Sequence, residues 1–229
     1  MKPLAAQVAA LFDAPVAAAA TDPRVHQPDV LPVEAAHVAR AIDKRQREFA
    51  AGRAAARQAM AELTGQAQDL AIPAAEDRSP IWPDGWQGSI SHKNTLCVAV
   101  VGRTGALLGL DLEEDTPLKQ DLIPTICTPA EMAAIAGPQE RRLAKLIFSA
   151  KEAAYKAQYP VTQKVFGFLR FEVRLDVPGA AFTARFVKDT GRFAAGDALA
   201  GRFFAAEGHL VTGVTIGQSD RLGIRGAAS

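Results

Sequence analysis

Three short stretches of this chain carry side chains whose types and spacing could do chemistry. In Leu107–Asp115, LLGLDLEED, Asp111 and Glu113 stand two apart at the end of an apolar run. On a β-strand that spacing puts both carboxylates on one face. Two carboxylates about 4 Å apart repel by about 4 kcal/mol at an effective dielectric near 20, so the pair calls for a cation. With no cysteine or histidine beside them, all-oxygen ligation points to Mg²⁺ or Mn²⁺ rather than zinc. The alternative is a strand running out into solvent, and the neighbouring Glu114 and Asp115 keep it open.

The second stretch is FSAKEAAYKA, Phe148–Ala157. On a helix, Glu152 and Lys156 share a face, with Ser149 one turn earlier. An exposed pair of this kind contributes only about 0.3–0.5 kcal/mol. The apolar flanks Phe148, Ala150, Ala153, Ala154 and Tyr155 instead predict partial burial of Lys151, Glu152 and Lys156, where an uncompensated charge is costly. The third stretch is GSISHKN, Gly88–Asn94. Ser89, Ser91 and His92 offer hydroxyl, imidazole and backbone donors to a phosphate, and Lys93 adds charge. Taken alone, it reads as a capped turn.

The elements that must hold these residues follow from periodicity. Val38, Ile42, Phe49, Ala56, Met60 and Leu63 recur at helical spacing and predict a helix from Glu34 to about Leu63, with Gly65 as its C-cap. Its other face carries Arg40, Lys44, Arg45, Arg47, Arg53 and Arg57. Arg45 and Arg53 are two turns apart and close to one azimuth. A Pro- and Gly-rich loop with Trp82 and Trp86 follows. Two apolar runs around Arg103-Thr104-Gly105 then suit a hairpin. A second helix is predicted from about Pro138 to Gln158, stopped by Pro160. FLRFEVRL alternates apolar and charged residues and reads as a half-buried strand, and AFTARFVK, GRFFAAE and HLVTGVTIG extend the pattern. Residues 1–33 read as a short apolar segment and a proline-rich connection. An order of helix, two strands, helix and several strands favours an α+β fold with antiparallel sheets.

Composition narrows the partners. At 229 residues with 48% hydrophobic and 22% charged side chains, the chain can build a sizeable core without staples. A net charge of +1 gives no general pull toward nucleic acid or anionic membrane, so neither is expected as a partner. No run reaches the roughly 18 apolar residues of a membrane span. Cys97 and Cys127 form no C-x-x-C pair, which fits a reduced, cytoplasmic setting. Gln7 and Asp13 interrupt the N-terminal apolar run, unlike a signal peptide.

Together, GSISH ahead of one strand, LGLDLE ending the next and FSAKEAAYKA on the following helix resemble the 4′-phosphopantetheinyl transferases of the surfactin and enterobactin synthetase-activating class. REFAAGRAAAR and RSPIWPDGWQGSISH agree, and the resemblance spans about residues 40–170. It implies a pseudo-twofold pair of similar α+β halves, 1–110 and 111–229, forming one structural unit with coenzyme A bound between them. It implies a monomer. It also implies Mg²⁺ held by Asp111, Glu113 and Glu152, and coenzyme A phosphates contacted by Ser91 and His92. His92 would reach the 3′-phosphate with Arg45 and Arg53, with Arg78 as a helper; Ala74 stands where some relatives have a lysine.

By the same resemblance, Glu152, directly or through a metal-bound water, takes the proton of a carrier protein's serine. That serine attacks the β-phosphorus, and adenosine 3′,5′-bisphosphate leaves. Lys156 would neutralise the leaving phosphate and Lys151 would assist at the pyrophosphate. The acceptor would be an apo acyl or peptidyl carrier protein of fatty acid, polyketide, nonribosomal peptide or siderophore synthesis. Two other readings stay open on the residues alone: a Mg²⁺-dependent phosphohydrolase or nucleotidyl transferase, and a non-catalytic coenzyme A- or carrier-binding module.

Overall fold

A computed structural model describes residues 1–217. The chain divides into two compact units, Met1–Leu108 and the remainder from Gly109 onward.

In the first unit, α1 (Lys2–Ala9), β1 (Val16–Thr21), the single-turn α2 (Pro32–Ala35), α3 (Asp43–Thr64), β2 (Trp86–His92) and β3 (Cys97–Arg103) follow in order. The three strands form an antiparallel sheet in the order β1-β3-β2. The core under α3 is built from small residues. Ala55, Ala56 and Ala59 let the helix lie close to the sheet, against Ala17, Ala99 and Val101, while Met60, Ile72 and Trp86 fill what remains. Gly65, in the left-handed conformation, ends α3 as the sequence predicts.

Several expectations change here. The residues before Asp43 do not continue α3: α2 ends at Ala35, and Ile42 becomes the exposed N-cap residue of α3 rather than part of an apolar stripe. The alanine-rich Val16–Thr21 segment, read as the end of a short apolar segment running into a proline-rich connection, is a strand paired along its whole length with β3. Nor is Arg103-Thr104-Gly105 a hairpin turn between paired strands. β3 has β1 on one edge and β2 on the other, so β4 (Leu107–Glu114) has no edge to join there and pairs with β8 instead.

The second unit continues with β4 and a 3₁₀ turn at Gln120–Leu122, then α4 (Ile123–Ile126), α5 (Pro129–Ile135) and α6 (Glu140–Thr162). A second 3₁₀ turn, Phe168–Arg170, leads to β5 (Phe171–Asp176), β6 (Ala181–Phe186), β7 (Ala198–Ala206) and β8 (His209–Ile216). The sheet order is β4-β8-β7-β6-β5, and the β5–β6, β6–β7 and β7–β8 pairs are antiparallel. The fold is therefore α+β with two sheets, as predicted.

Two boundaries differ from the sequence reading. Pro160 does not stop α6, which runs to Thr162. Proline at this position forfeits the hydrogen bond of its own nitrogen to the carbonyl four residues earlier, yet the last turn is kept: Gln163 closes the helix with its N–H on Tyr159 O and a left-handed backbone. The FLRFEVRL strand begins at Phe171, because Phe168–Arg170 make the 3₁₀ turn. Among the described residues, no helix is long and apolar enough to cross a membrane.

Candidate active site

In the second unit the site is built by two elements and one glycine. β4 presents Asp111 and Glu113 on the same face, 4% and 5% exposed. α6 presents Lys145, Ser149, Glu152 and Lys156, which at 100° per residue fall within about 60° of one another. A Cβ on Gly109 would collide with Ala153 O and with Ala157, so glycine in LGLDLE lets α6 lie directly on the strand. That approach brings the two sets of side chains into contact. Lys156 Nζ donates to Asp111 Oδ1 at 2.7 Å and to Leu110 O at 3.0 Å. Lys145 Nζ donates to Glu113 Oε2 at 2.9 Å. Ser149 Oγ donates to Asp111 Oδ2 at 2.9 Å and lies 2.9 Å from Thr212 Oγ1, whose hydroxyl donates to Ser149 O.

The electrostatics follow. Two nearly buried carboxylates on one strand face are each neutralised by an ammonium, which is how such a pair persists away from water. Oxygen-only donors of this kind suit a hard divalent cation, which would share the two carboxylates with those ammonium groups. The residue types therefore fit Mg²⁺. Among the described residues, no group of three or more histidine, cysteine or acidic side chains is gathered closely enough to hold a metal ion. Glu152 is half-buried on the α6 face between Ser149 and Lys156.

Lys151 does not join this face. It sits about 100° around the helix from Glu152, is 1% exposed, and donates to Ile126 O and Glu131 Oε2, each at 2.8 Å. Burial lowers its pKa while the Glu131 carboxylate opposes that shift. The ammonium expected at a pyrophosphate is here held inside the second unit by Ile126 O and Glu131. Glu131 is in turn held by the N–H groups of Thr128 and Val173, in the capping box that starts α5.

In the first unit, GSISHKN forms the end of β2 and the turn into β3, closed by the Lys93 N–H on Leu96 O. Gly88 is required because a Cβ there would strike the Trp82 ring and Val100 O. Strand alternation separates the motif's side chains. Ser89 and Ser91 are buried on one face, whereas His92 lies on the other, beside α3. His92 Nε2 is 2.9 Å from Arg45 Nη1, and Nδ1 is 3.7 Å from Glu48 Oε2. Lys44 Nζ donates to Asn94 Oδ1 at 2.6 Å.

Arg53 is two turns further along α3 from Arg45 and buried. It donates to Ile72 O and Pro73 O and stacks 4.0 Å over Phe49. Burial brings its pKa down to about 10, so it stays charged at neutral pH. Arg78 lies at the exposed tip of the loop Ala75–Ser79, with a left-handed backbone (φ 70°). The structure thus unites Arg45 with His92 and Asp111 with Glu113 and Lys156, puts Ser91 on the strand face opposite His92, and turns the Arg53 guanidinium onto Ile72 O and Pro73 O. Lys145, Thr212, Glu48 and Glu131 had not been singled out. Lys145 was findable, two helical turns before Glu152 on the same face; Thr212 was not, since 63 residues separate it from Ser149.

The comparisons with known proteins cover both units. A family model described as the 4′-phosphopantetheinyl transferase N-terminal domain matches residues 33–102, which contain Arg45, Arg53, Arg78, Ser91 and His92. The 4′-phosphopantetheinyl transferase superfamily model matches residues 107–207, which contain Asp111, Glu113, Lys151, Glu152 and Lys156. The chain is 37% identical over 196 residues to 4′-phosphopantetheinyl transferase Svp of Streptomyces mobaraensis, covering 82% of this chain and 78% of that protein. It is 35% identical over 161 residues to 4′-phosphopantetheinyl transferase PptT of Mycobacterium tuberculosis, covering 69% and 70%. Against enterobactin synthase component D of Escherichia coli the identity is 38% over 135 residues, covering 57% and 62%. With both units matched and most of Svp's length aligned, the chain belongs to the 4′-phosphopantetheinyl transferase superfamily and is a transferase.

Proposed function

We propose that this protein transfers the 4′-phosphopantetheine group of coenzyme A to a serine hydroxyl of an apo carrier protein, releasing adenosine 3′,5′-bisphosphate. The observation that carries the reading is the single α6 face on which Lys145, Ser149, Glu152 and Lys156 stand against Asp111 and Glu113. It combines what phosphoryl transfer needs: a carboxylate base, fixed cations and an acidic pair suited to a hard metal ion.

Each unit is assigned one end of coenzyme A. Arg45 and His92, with Lys44 and Lys93 nearby in the sequence, take the 3′-phosphate of the adenosine. Arg53 holds the Ile72–Pro73 segment and thereby supports the loop that bears Arg78. Asp111, Glu113 and Glu152 would hold Mg²⁺, which when bound supplies positive charge to the pyrophosphate oxygens. Glu152 accepts the proton of the carrier serine as its oxygen forms a bond to the β-phosphorus and the bond to the bridging oxygen breaks. Lys156 stabilises the charge that collects on the departing phosphate. Lys151 keeps α6 in register rather than touching substrate. The nucleophile comes from the partner.

The test is incubation with Mg²⁺, coenzyme A and a panel of apo carrier proteins, followed by intact mass. The expected result is a phosphopantetheine adduct, formed about 10²–10⁴-fold more slowly by Glu152→Gln. No adduct on any carrier, or full activity in Glu152→Gln, would sink the assignment.

A further inference from the structure

The second unit contains an apolar groove that the transfer chemistry leaves unused. Thr125, Gly167, Phe168, Leu169, Arg170 and Lys188 line a space of about 380 Å³. Its lining residue Leu169 is 51% exposed, and Val165, two residues before Gly167 in the sequence, is 79% exposed. Exposed apolar groups gathered in one place mark contact surfaces more often than isolated ones do. The groove walls are tied together, since Val187 N–H donates to Arg170 O and Arg170 Nη1 donates to Asp189 O. It is therefore a formed feature, not a frayed loop.

Two observations say what fits it. The first is charge. Arg170 and Lys188 line the groove and Lys164 stands three residues before Gly167 in the sequence, while the Asp189 carboxylate accepts the Ala195 N–H, so the lining carries positive charge. The second is continuity with the α6 face. The Phe168 ring packs 5.3 Å from Phe148, Lys145 Nζ lies 5.9 Å from the centre of Phe148, and the same ammonium binds Glu113. A protein seated in the groove is thus one aromatic pair away from the acidic cluster.

We propose that this groove docks the apo carrier protein, through an acidic surface that also places an apolar side chain against Phe168 and Leu169. The inference rests on the function proposed above and names where its protein substrate is held. Apolar burial in the groove would supply affinity, and the cationic rim would speed and orient the encounter.

The experiment measures binding separately from chemistry. A fluorescently labelled apo carrier with an acidic surface is titrated with the full chain, without coenzyme A, by anisotropy at low and moderate salt, and adduct formation is followed in parallel by intact mass. Leu169→Asp and Lys188→Glu are each expected to raise the carrier Kd about tenfold while leaving the KM for coenzyme A unchanged. Val177→Asp, also exposed but at the opposite end of the β5–β6 hairpin, is expected to change neither. Moderate salt is expected to weaken wild-type binding and to leave Lys188→Glu less sensitive. Equal Kd values for wild type, Leu169→Asp and Lys188→Glu would overturn the docking surface, as would self-association through this groove with carrier affinity unchanged. Carrier binding that depends on the groove, with no adduct from the wild type, would instead remove the transferase reading and leave the surface standing.

Discussion

Asp111 and Glu113 owe their burial to Lys156 and Lys145, and that pairing is the residue-scale reason the site exists. The α6 face was legible from the sequence because helical period alone aligns Ser149, Glu152 and Lys156. Lys151 was not, because adjacency in sequence means about 100° of separation on a helix, and only the packed neighbours decide which side is the interior. The thiols give a pH test at the same scale. Burial pushes the Cys97 pKa from 9.0 up to about 12. Between those values the folded protein keeps a proton that the unfolded chain has lost. The stability is thus fully present below 9 and falls as pH rises toward 12, by about 1.4 kcal/mol per pH unit for one such group. Arg53 and Lys151, whose values are lowered by burial, act in the opposite sense at alkaline pH. Urea unfolding from pH 8 to 10.5 should therefore show a steeper alkaline loss in wild type than in Cys97→Ala, by about one proton. Parallel slopes would mean the thiol ionises without unfolding.

At the scale of elements, Gly109 and the Lys151–Glu131 pair do complementary work. The glycine lets α6 touch β4, while the ion pair joins α6 to α5, the end of α4 and, through the Val173 N–H, β5. Removing one partner from such a pair leaves a buried charge and costs about 3–5 kcal/mol. Lys151→Met is thus expected to lose stability on that order in chemical denaturation. Lys151→Met combined with Glu131→Gln should lose less than the sum of the single changes, since no net charge remains in the interior. If Lys151→Met kept wild-type stability while losing turnover, Lys151 would return to the list of groups that touch substrate. The capping box at Thr128 and Glu131 was visible as a sequence pattern, but its second use as the anchor of Lys151 was not. The β3–β4 connection teaches the same lesson: three residues between two apolar runs suit a hairpin, yet strand edges already taken by β1 and β2 rule it out.

At the scale of the whole molecule, the two units carry different chemistry: a basic cluster at Arg45 and His92 in the first, an acidic and lysine-bearing face in the second. If each unit takes one end of coenzyme A, the ligand should stabilise the folded chain through both. At a hundred times its Kd, coenzyme A with Mg²⁺ is expected to add about 2.7 kcal/mol, read as a rise in Tm. The rise should shrink in His92→Ala and separately in Asp111→Ala; a shift untouched by either substitution would show that coenzyme A binds elsewhere. What the sequence determined by itself was local: the long helices, the period-2 strands, the α+β class and the three motifs, because periodicity and residue type act over a few neighbours. What only the tertiary structure decided was which charges meet. Lys145 on Glu113, Thr212 on Ser149, Arg45 on His92 and the removal of Lys151 to the interior all depend on how far a helix can approach a strand and which edges remain free, and these are settled by packing between distant segments.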